Sequence, residues 1–260
     1  MRKWGAFCTA AALMLGLCTA SLASERTTIR FGTGTSYAPF YYLDRTNRSQ
    51  GFEIDIAHAL CDHLDMRCEF IPDDWPSLIP GLLSHKFDAL VASLSVTDAR
   101  KRQIAFTVPY YRTAMAFLAL SASPITDVSP RAMKGRKIGA QTGTNAARYL
   151  NDRYADAGVE IRLYPTQDEA YLDLLSGETD AVLGDKVGFM AWMQKHASKT
   201  CCRFVGEDVT DRDYVGDGIA FAVRKEDNDL RRDLNRAIGD ILADGTYKRI
   251  NDRYFPFSVY

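Results

Sequence analysis

The chain has 260 residues, with 32 lysines plus arginines against 33 aspartates plus glutamates and a formal net charge of −1. That balance excludes nucleic acid as a partner, because phosphate binding draws on a basic excess. The length allows two modest domains or one large one.

The amino terminus reads as a targeting segment. Arg2 and Lys3 give a positive start, an apolar run follows from Ala10 to Leu17, and Ala20-Ser21-Leu22-Ala23 supplies small residues where a signal peptidase reads. Residues 1–23 are predicted to be a signal peptide, cleaved after Ala23. The run is too short to span a bilayer, and no other stretch approaches the ~20 apolar residues a spanning helix needs. A lipoprotein would need a small residue before a cysteine, but Leu17 precedes Cys18 and Phe7 precedes Cys8.

Beyond it, strand and helix patterns alternate. Residues 28–32 read as a strand, 52–64 as a helix, 68–72 as a short strand, 77–84 as a helix and 88–94 as an apolar strand. Such alternation predicts parallel βαβ units covered on both faces. Cys61 and Cys68 fall at the end of the first helix and the start of the next strand. Export implies an oxidising compartment, where a disulfide between them is the favoured reading. The alternative is a metal site with His58, which shares a helix face with Cys61; His63 does not. The adjacent Cys201 and Cys202 stay undecided, since neighbours bond only in strained geometry.

An internal echo suggests two units of like construction. Leu82-Leu83-Ser84-x-x-x-Asp88-Ala89 returns as Leu174-Leu175-Ser176-x-x-x-Asp180-Ala181, and Thr33-Gly34-Thr35 returns as Thr142-Gly143-Thr144 after a strand at 137–140. Ligands of open α/β sheets sit outside the carboxyl ends of strands. Polar residues at the strand ends of both units should therefore converge on one ligand.

Several residues meet that condition. In Ser93-Leu94-Ser95-Val96-Thr97-Asp98-Ala99-Arg100, Thr97 is a good N-cap, which puts Arg100 in the first turn of a helix. A cation there opposes the helix dipole unless it faces an anion, and its planar fork suits a carboxylate. A surface arginine paired with Asp98 is the plainer explanation. Asp185 follows the strand at 181–183 behind Gly184; it can take an ammonium group or simply cap the next helix. The turn Gln141-Thr142-Gly143-Thr144-Asn145 could offer backbone N–H groups to an anion. Tyr37 and Trp75 stand in loops where rings can flank a side chain or merely pack.

At these residues the chain resembles the polar amino-acid-binding proteins of bacterial ABC importers, above all the lysine/arginine/ornithine- and histidine-binding proteins. The resemblance runs through Tyr37-Ala38-Pro39-Phe40, Gly51-Phe52-Glu53-Ile54-Asp55-Ile56, Ser93 to Thr97 with Arg100, Ile104-Ala105-Phe106-Thr107, Gly143-Thr144, Arg224-Lys225-Glu226-Asp227-Asn228 and Ala243-Asp244-Gly245-Thr246-Tyr247. It implies a two-lobed α/β fold of the periplasmic binding protein type, each lobe a mostly parallel sheet flanked by helices, joined by two crossovers near residues 112–114 and 214–218. Lobe 1 would comprise residues 24–112 and 218–260, and lobe 2 residues 113–217. Arg100 would clamp an α-carboxylate, assisted by backbone N–H groups of Ser95 and of Thr144 or Asn145. Asp185 and Ser93 would hold the α-ammonium, and Tyr37 and Trp75 would flank the side chain. The Cys61 and Cys68 spacing matches a bridge in the nearest relatives. The implied protein is a periplasmic monomer that delivers an amino acid, or a derivative such as an opine, to a membrane permease, with no cofactor, no metal and no catalysis.

One position departs from the pattern. Binders of cationic side chains carry an acid just after the first strand, where this chain has Gly34. Either another acid serves, with Asp73, Asp74 and Asp217 as candidates, or Gly34 makes room for a bulkier ligand. Two rivals share the scaffold: an exported cyclohexadienyl dehydratase, which would need a general acid and base over the reacting ring, and a receptor sensor domain, which would continue into a transmembrane helix beyond Tyr260.

Overall fold

The computed structural model describes residues 27–195 and 200–260, so the predicted signal peptide lies outside the described residues. The chain begins with β1 (Thr28–Thr33), a small antiparallel sheet of β2 (Ser36–Tyr37), β3 (Tyr41–Leu43) and β4 (Ser49–Gln50), then α1 (Phe52–His63), β5 (Arg67–Pro72), α2 (Leu78–Leu83), β6 (Ala89–Leu90), α3 (Asp98–Lys101) and β7 (Ala105–Phe106). The middle of the chain forms β8 (Met115–Leu120), β9 (Lys137–Gln141), α4 (Asn145–Tyr154), β10 (Glu160–Tyr164), α5 (Gln167–Leu175), β11 (Ala181–Asp185), α6 (Lys186–Lys195), β12 (Cys202–Val209) and α7 (Arg212–Val215). It then returns through β13 (Ala222–Val223), α8 (Asn228–Ala243) and α9 (Thr246–Tyr254).

These strands form two five-stranded sheets of matching design. The first has the order β5-β1-β6-β13-β7 and the second β10-β9-β11-β8-β12. In each, three strands run parallel and the remaining two pair antiparallel, at the places where the chain has crossed from the other sheet. Residues of the two connecting segments lie side by side. Ile219 bridges both Ser95 and Tyr111, and Val96 N–H donates to Gly218 O at 2.8 Å. Gly216 sits there at φ 72, and a side chain on it would press into the Val96 carbonyl, so only glycine fits this turn.

Local sequence explains the helices of the first lobe. α1 carries Glu53 and Asp55 in its first turn, where carboxylates suit the helix dipole, and it buries Phe52, Ile54, Ile56, Ala57 and Leu60. α8 buries Leu230, Leu234, Ala237, Ile238 and Ile241, a one-sided stripe that packs against α1. Cys61 and Cys68 are bridged, with Cα atoms 5.9 Å apart, and so pin the end of α1 to β5. His58 instead packs edge-on against Phe70, and His63 bonds Ala59 O and Asp244. Cys201 and Cys202 are bridged to each other at the start of β12.

The repeated sequence is a repeated structure. Leu82 and Leu174 are fully buried, while Leu83 and Leu175 face outward. His85 and Gly177 both take the left-handed conformation that ends the helix. Asp88 then accepts the N–H of Arg30 at 3.0 Å and its guanidinium, and Asp180 accepts the N–H of Lys137 at 2.8 Å and the guanidinium of Arg136. Each aspartate thus ties the start of a central strand, β6 or β11, to the parallel strand beside it, β1 or β9. The predicted strand at 88–94 pairs only over Ala89–Leu90, because Ser93 turns the backbone to φ 49.

Candidate ligand-binding site

The carboxyl ends of both sheets' parallel strands open onto one cleft between the lobes. Tyr37, Trp75, Ser93, Ser95 and Arg100 line it from the first sheet's side, and Thr144, Asn145 and Asp185 from the second's. All eight residues singled out in the sequence therefore meet in one place.

The two sides touch directly. Trp75 Nε1 donates to Gly143 O at 3.2 Å, and Ser36 Oγ donates to Asp168 Oδ2 at 2.5 Å. Val187 and Ala191 of α6 pack against the first lobe's core. Any side chain on Gly188 would strike the Tyr37 hydroxyl. The lobes stand closed upon one another.

Arg100 follows the N-cap predicted for it, with Thr97 Oγ1 accepting its N–H at 3.4 Å. Its guanidinium is buried, donates to Ser95 O at 3.1 Å and lies 5.7 Å from the Trp75 ring. Asp98 does not pair with it; Lys101 takes that carboxylate at 3.3 Å. Burial, with the field of Arg148 added, lowers the Arg100 guanidinium to about 10, and Tyr41 is the group that acts against the shift. It remains a cation at neutral pH, held without a carboxylate among the described residues.

Asp185 is the counterpart. Its Oδ1 accepts the Gly188 N–H at 2.8 Å, so it does cap α6. It also lines the cleft. Burial pushes its carboxyl up to about 6, against hydrogen bonds from Gly188, Thr113 and Val187 that pull it down; no cation contributes. A desolvated cation and a desolvated anion thus face one cavity from opposite lobes, each without a partner of opposite charge among the described residues.

Two further groups shape the carboxylate end. Thr144 caps α4, accepting Ala147 N–H at 3.2 Å, which leaves the first N–H groups of that ten-residue helix without intrahelical acceptors beside Asn145 and Ala146. Ser93 is held from behind by Glu53, a fully buried acid of α1. Glu53 accepts the Ser93 N–H at 2.8 Å and its hydroxyl at 2.9 Å, and the Tyr110 hydroxyl donates to it as well. Burial outweighs those bonds and raises Glu53 to about 7. With its proton committed to Glu53, the Ser93 hydroxyl is left to accept a hydrogen bond from the cleft.

Sequence reasoning passed over several lining residues. Tyr41 is one; its ring occupies the space beside Gly34, so a side chain at that position would collide with it. The room expected at Gly34 is therefore already filled. Gln167 is another. It is 6% exposed, its Nε2 has no hydrogen-bond partner, and it lies beside Gly184. Its place at the first turn of a helix, after the strand β10, is the same signal that marked Arg100. Glu53 was visible only as part of a motif. Among the described residues no group of three or more His, Cys, Asp or Glu is arranged to hold a metal ion.

Two sheets flanked by helices, crossed twice by the chain and closed over a charged cleft, define a two-lobed binding protein. Residues 29–257 match the bacterial extracellular solute-binding proteins, family 3, and the chain belongs to that family. The lysine/arginine/ornithine-binding periplasmic protein of Escherichia coli (strain K12) is 36% identical over 253 residues, spanning 96% of this chain and 97% of that protein. Among solved structures, an ancestral arginine-binding protein bound to arginine superposes with a TM-score of 0.80 at 31% identity, covering 88% of this chain and 99% of the other. An ancestral amino acid-binding protein, a precursor of cyclohexadienyl dehydratase, superposes with a TM-score of 0.76 at 26% identity, covering 88% and 95%.

Proposed function

We propose that the chain is the periplasmic solute-binding component of an ABC importer for a basic amino acid, working as an exported monomer that presents its closed form to the permease. The observation that carries this reading is the pair Arg100 and Asp185, opposite charges buried without counterions among the described residues on opposite sides of one cleft. The backbone of an amino acid is their complement. Its carboxylate takes the Arg100 fork and the free N–H groups at the start of α4, with Ser95 alongside; its ammonium takes Asp185 and the Ser93 oxygen. Tyr37 and Trp75 flank the side chain.

Closure follows from the same arrangement. Lobe 1, residues 24–112 and 218–260, brings the cation; lobe 2, residues 113–217, brings the anion and the helix start. A zwitterion bridging them favours the closed state, with bending at 112–114 and 214–218. The arginine-binding and lysine/arginine/ornithine-binding relatives support a basic ligand.

Binding, and not catalysis, is the role these groups fit. A dehydratase needs an acid and a base over the reacting ring, whereas the charges facing this cleft match the two ends of an amino acid. A thermal-shift screen over amino acids, polyamines and opines tests the reading, because a ligand preferred by the native state raises Tm. Arginine or lysine should give the largest rise with 1:1 stoichiometry. No rise with any amino acid, or turnover of prephenate or arogenate, overturns it.

A further inference from the structure

Beside the amino-acid cleft lies a second chamber of about 390 Å³, with Tyr41, Trp75 and Gln141 lining both. Its other walls are mostly hydroxyl-bearing and come from both lobes, with Ser36 and Ser77 facing Thr142 and Thr166. No lysine or arginine lines it, and its one charged residue is Asp74.

Three acids could replace the one missing at Gly34, and the structure separates them. Asp73 is already paired with Lys86 at 2.8 Å. Asp217 is paired with both Lys101 and Arg212 at 2.6 Å, which hold its carboxyl down at about 2. The Asp74 carboxylate makes no ion pair with any described residue. Asp74 is exposed and precedes Trp75, whose ring lies 5.7 Å from the Arg100 guanidinium.

We infer that this second chamber is a distal subsite, in which Asp74 receives the cationic end of a long amino-acid side chain. The inference rests on the amino-acid reading of the first cleft. A side chain leaving that cleft passes Tyr41 and Trp75, whose faces suit a guanidinium or an alkyl-ammonium stem, and ends among hydroxyls and one free carboxylate. Gly34 is then no deficiency: Tyr41 fills its space and directs the side chain outward. The ligand class is an amino acid with a terminal guanidinium or ammonium, including forms extended beyond arginine in length.

Calorimetric titration with arginine and with citrulline, its neutral near-isostere, tests the assignment. The wild-type protein should prefer arginine. Asp74→Asn should shrink the arginine-to-citrulline affinity ratio about fivefold, the size of a solvated ion pair. Asp73→Asn should leave the ratio as it was. An unchanged ratio in Asp74→Asn, or a wild-type protein that binds both ligands equally, overturns the distal subsite and leaves the amino-acid cleft standing. A wild-type protein that binds neither ligand removes the first reading and this one with it.

Discussion

The two lobes repeat one construction and diverge at the cleft. In both, a helix ends at a Leu-Leu-Ser step, a left-handed residue turns the chain, and an aspartate ties the next strand to the first: Asp88 to Arg30, Asp180 to Lys137. At the far end of the same sheets the chemistry splits. The first lobe buries a cation, Arg100, while the second buries an anion, Asp185, and turns the start of α4 toward the cavity. The repeated part holds each lobe together by itself. The divergent part leaves each lobe with a charge unpaired among the described residues, which a molecule carrying both opposite charges would complement from between them.

Removing the cation should break that complementarity most. Arg100→Ala is expected to weaken amino-acid binding roughly a hundred- to a thousandfold by calorimetry, since it leaves the ligand carboxylate desolvated without a partner. Arg100→Lys, which keeps the charge and loses the planar fork, should fall between. Unaltered affinity in Arg100→Ala would show that the carboxylate is held elsewhere.

Asp185 sharpens the comparison through pH. Its folded-state pKa of about 6 lies above the ordinary aspartate value of 3.8, so the unliganded protein retains a proton that the unfolded chain has lost between those values. Stability from this group is therefore full below about pH 4 and falls as pH rises to 6. A bound ammonium reverses the preference, so affinity should drop by up to about tenfold per pH unit as pH falls below 6. Asp185→Asn should flatten the part of the binding profile due to this group and raise the unliganded Tm at pH 7.5 by a few degrees while weakening binding. A wild-type affinity independent of pH from 5 to 8 would contradict an ionised Asp185 as the ammonium partner.

A smaller effect should come from behind the cleft. Glu53→Gln replaces an acceptor of three donors by an amide that must present an N–H to them. It should relax the Ser93 turn and cost about tenfold in affinity. In a double-mutant cycle with Ser93→Ala the two losses should not add, because Glu53 acts through Ser93. Full additivity would assign Glu53 a purely structural role.

Much of this was readable in the sequence because it depended on local pattern. Arg100, Asp185 and the Thr144 turn were marked by their positions at strand ends and helix starts, and the repeated Leu-Leu-Ser-x-x-x-Asp-Ala step gave the two-lobed plan. What escaped depended on residues distant in the chain. Nothing near Gly34 announces that the Tyr41 ring folds over it. Glu53 and Ser93 lie forty positions apart and meet only when α1 packs under the first sheet. Gln167 carried a local signal, but its place beside Gly184 depends on β9 standing between β10 and β11. The short paired length of β6 likewise reflects a backbone turn at Ser93 that apolar composition does not encode.

The position of β13 carries a consequence for how the molecule assembles. It lies inside the first sheet, between β6 and β7, yet it is made after the whole of the second lobe. The second sheet uses one uninterrupted stretch of chain, from β8 to β12. The first cannot complete its hydrogen-bond ladder until Ala222 and Val223 arrive, so its folding waits on a long loop closure. Chains shortened from the carboxyl end past this strand should keep a structured middle and lose the half that carries the guanidinium.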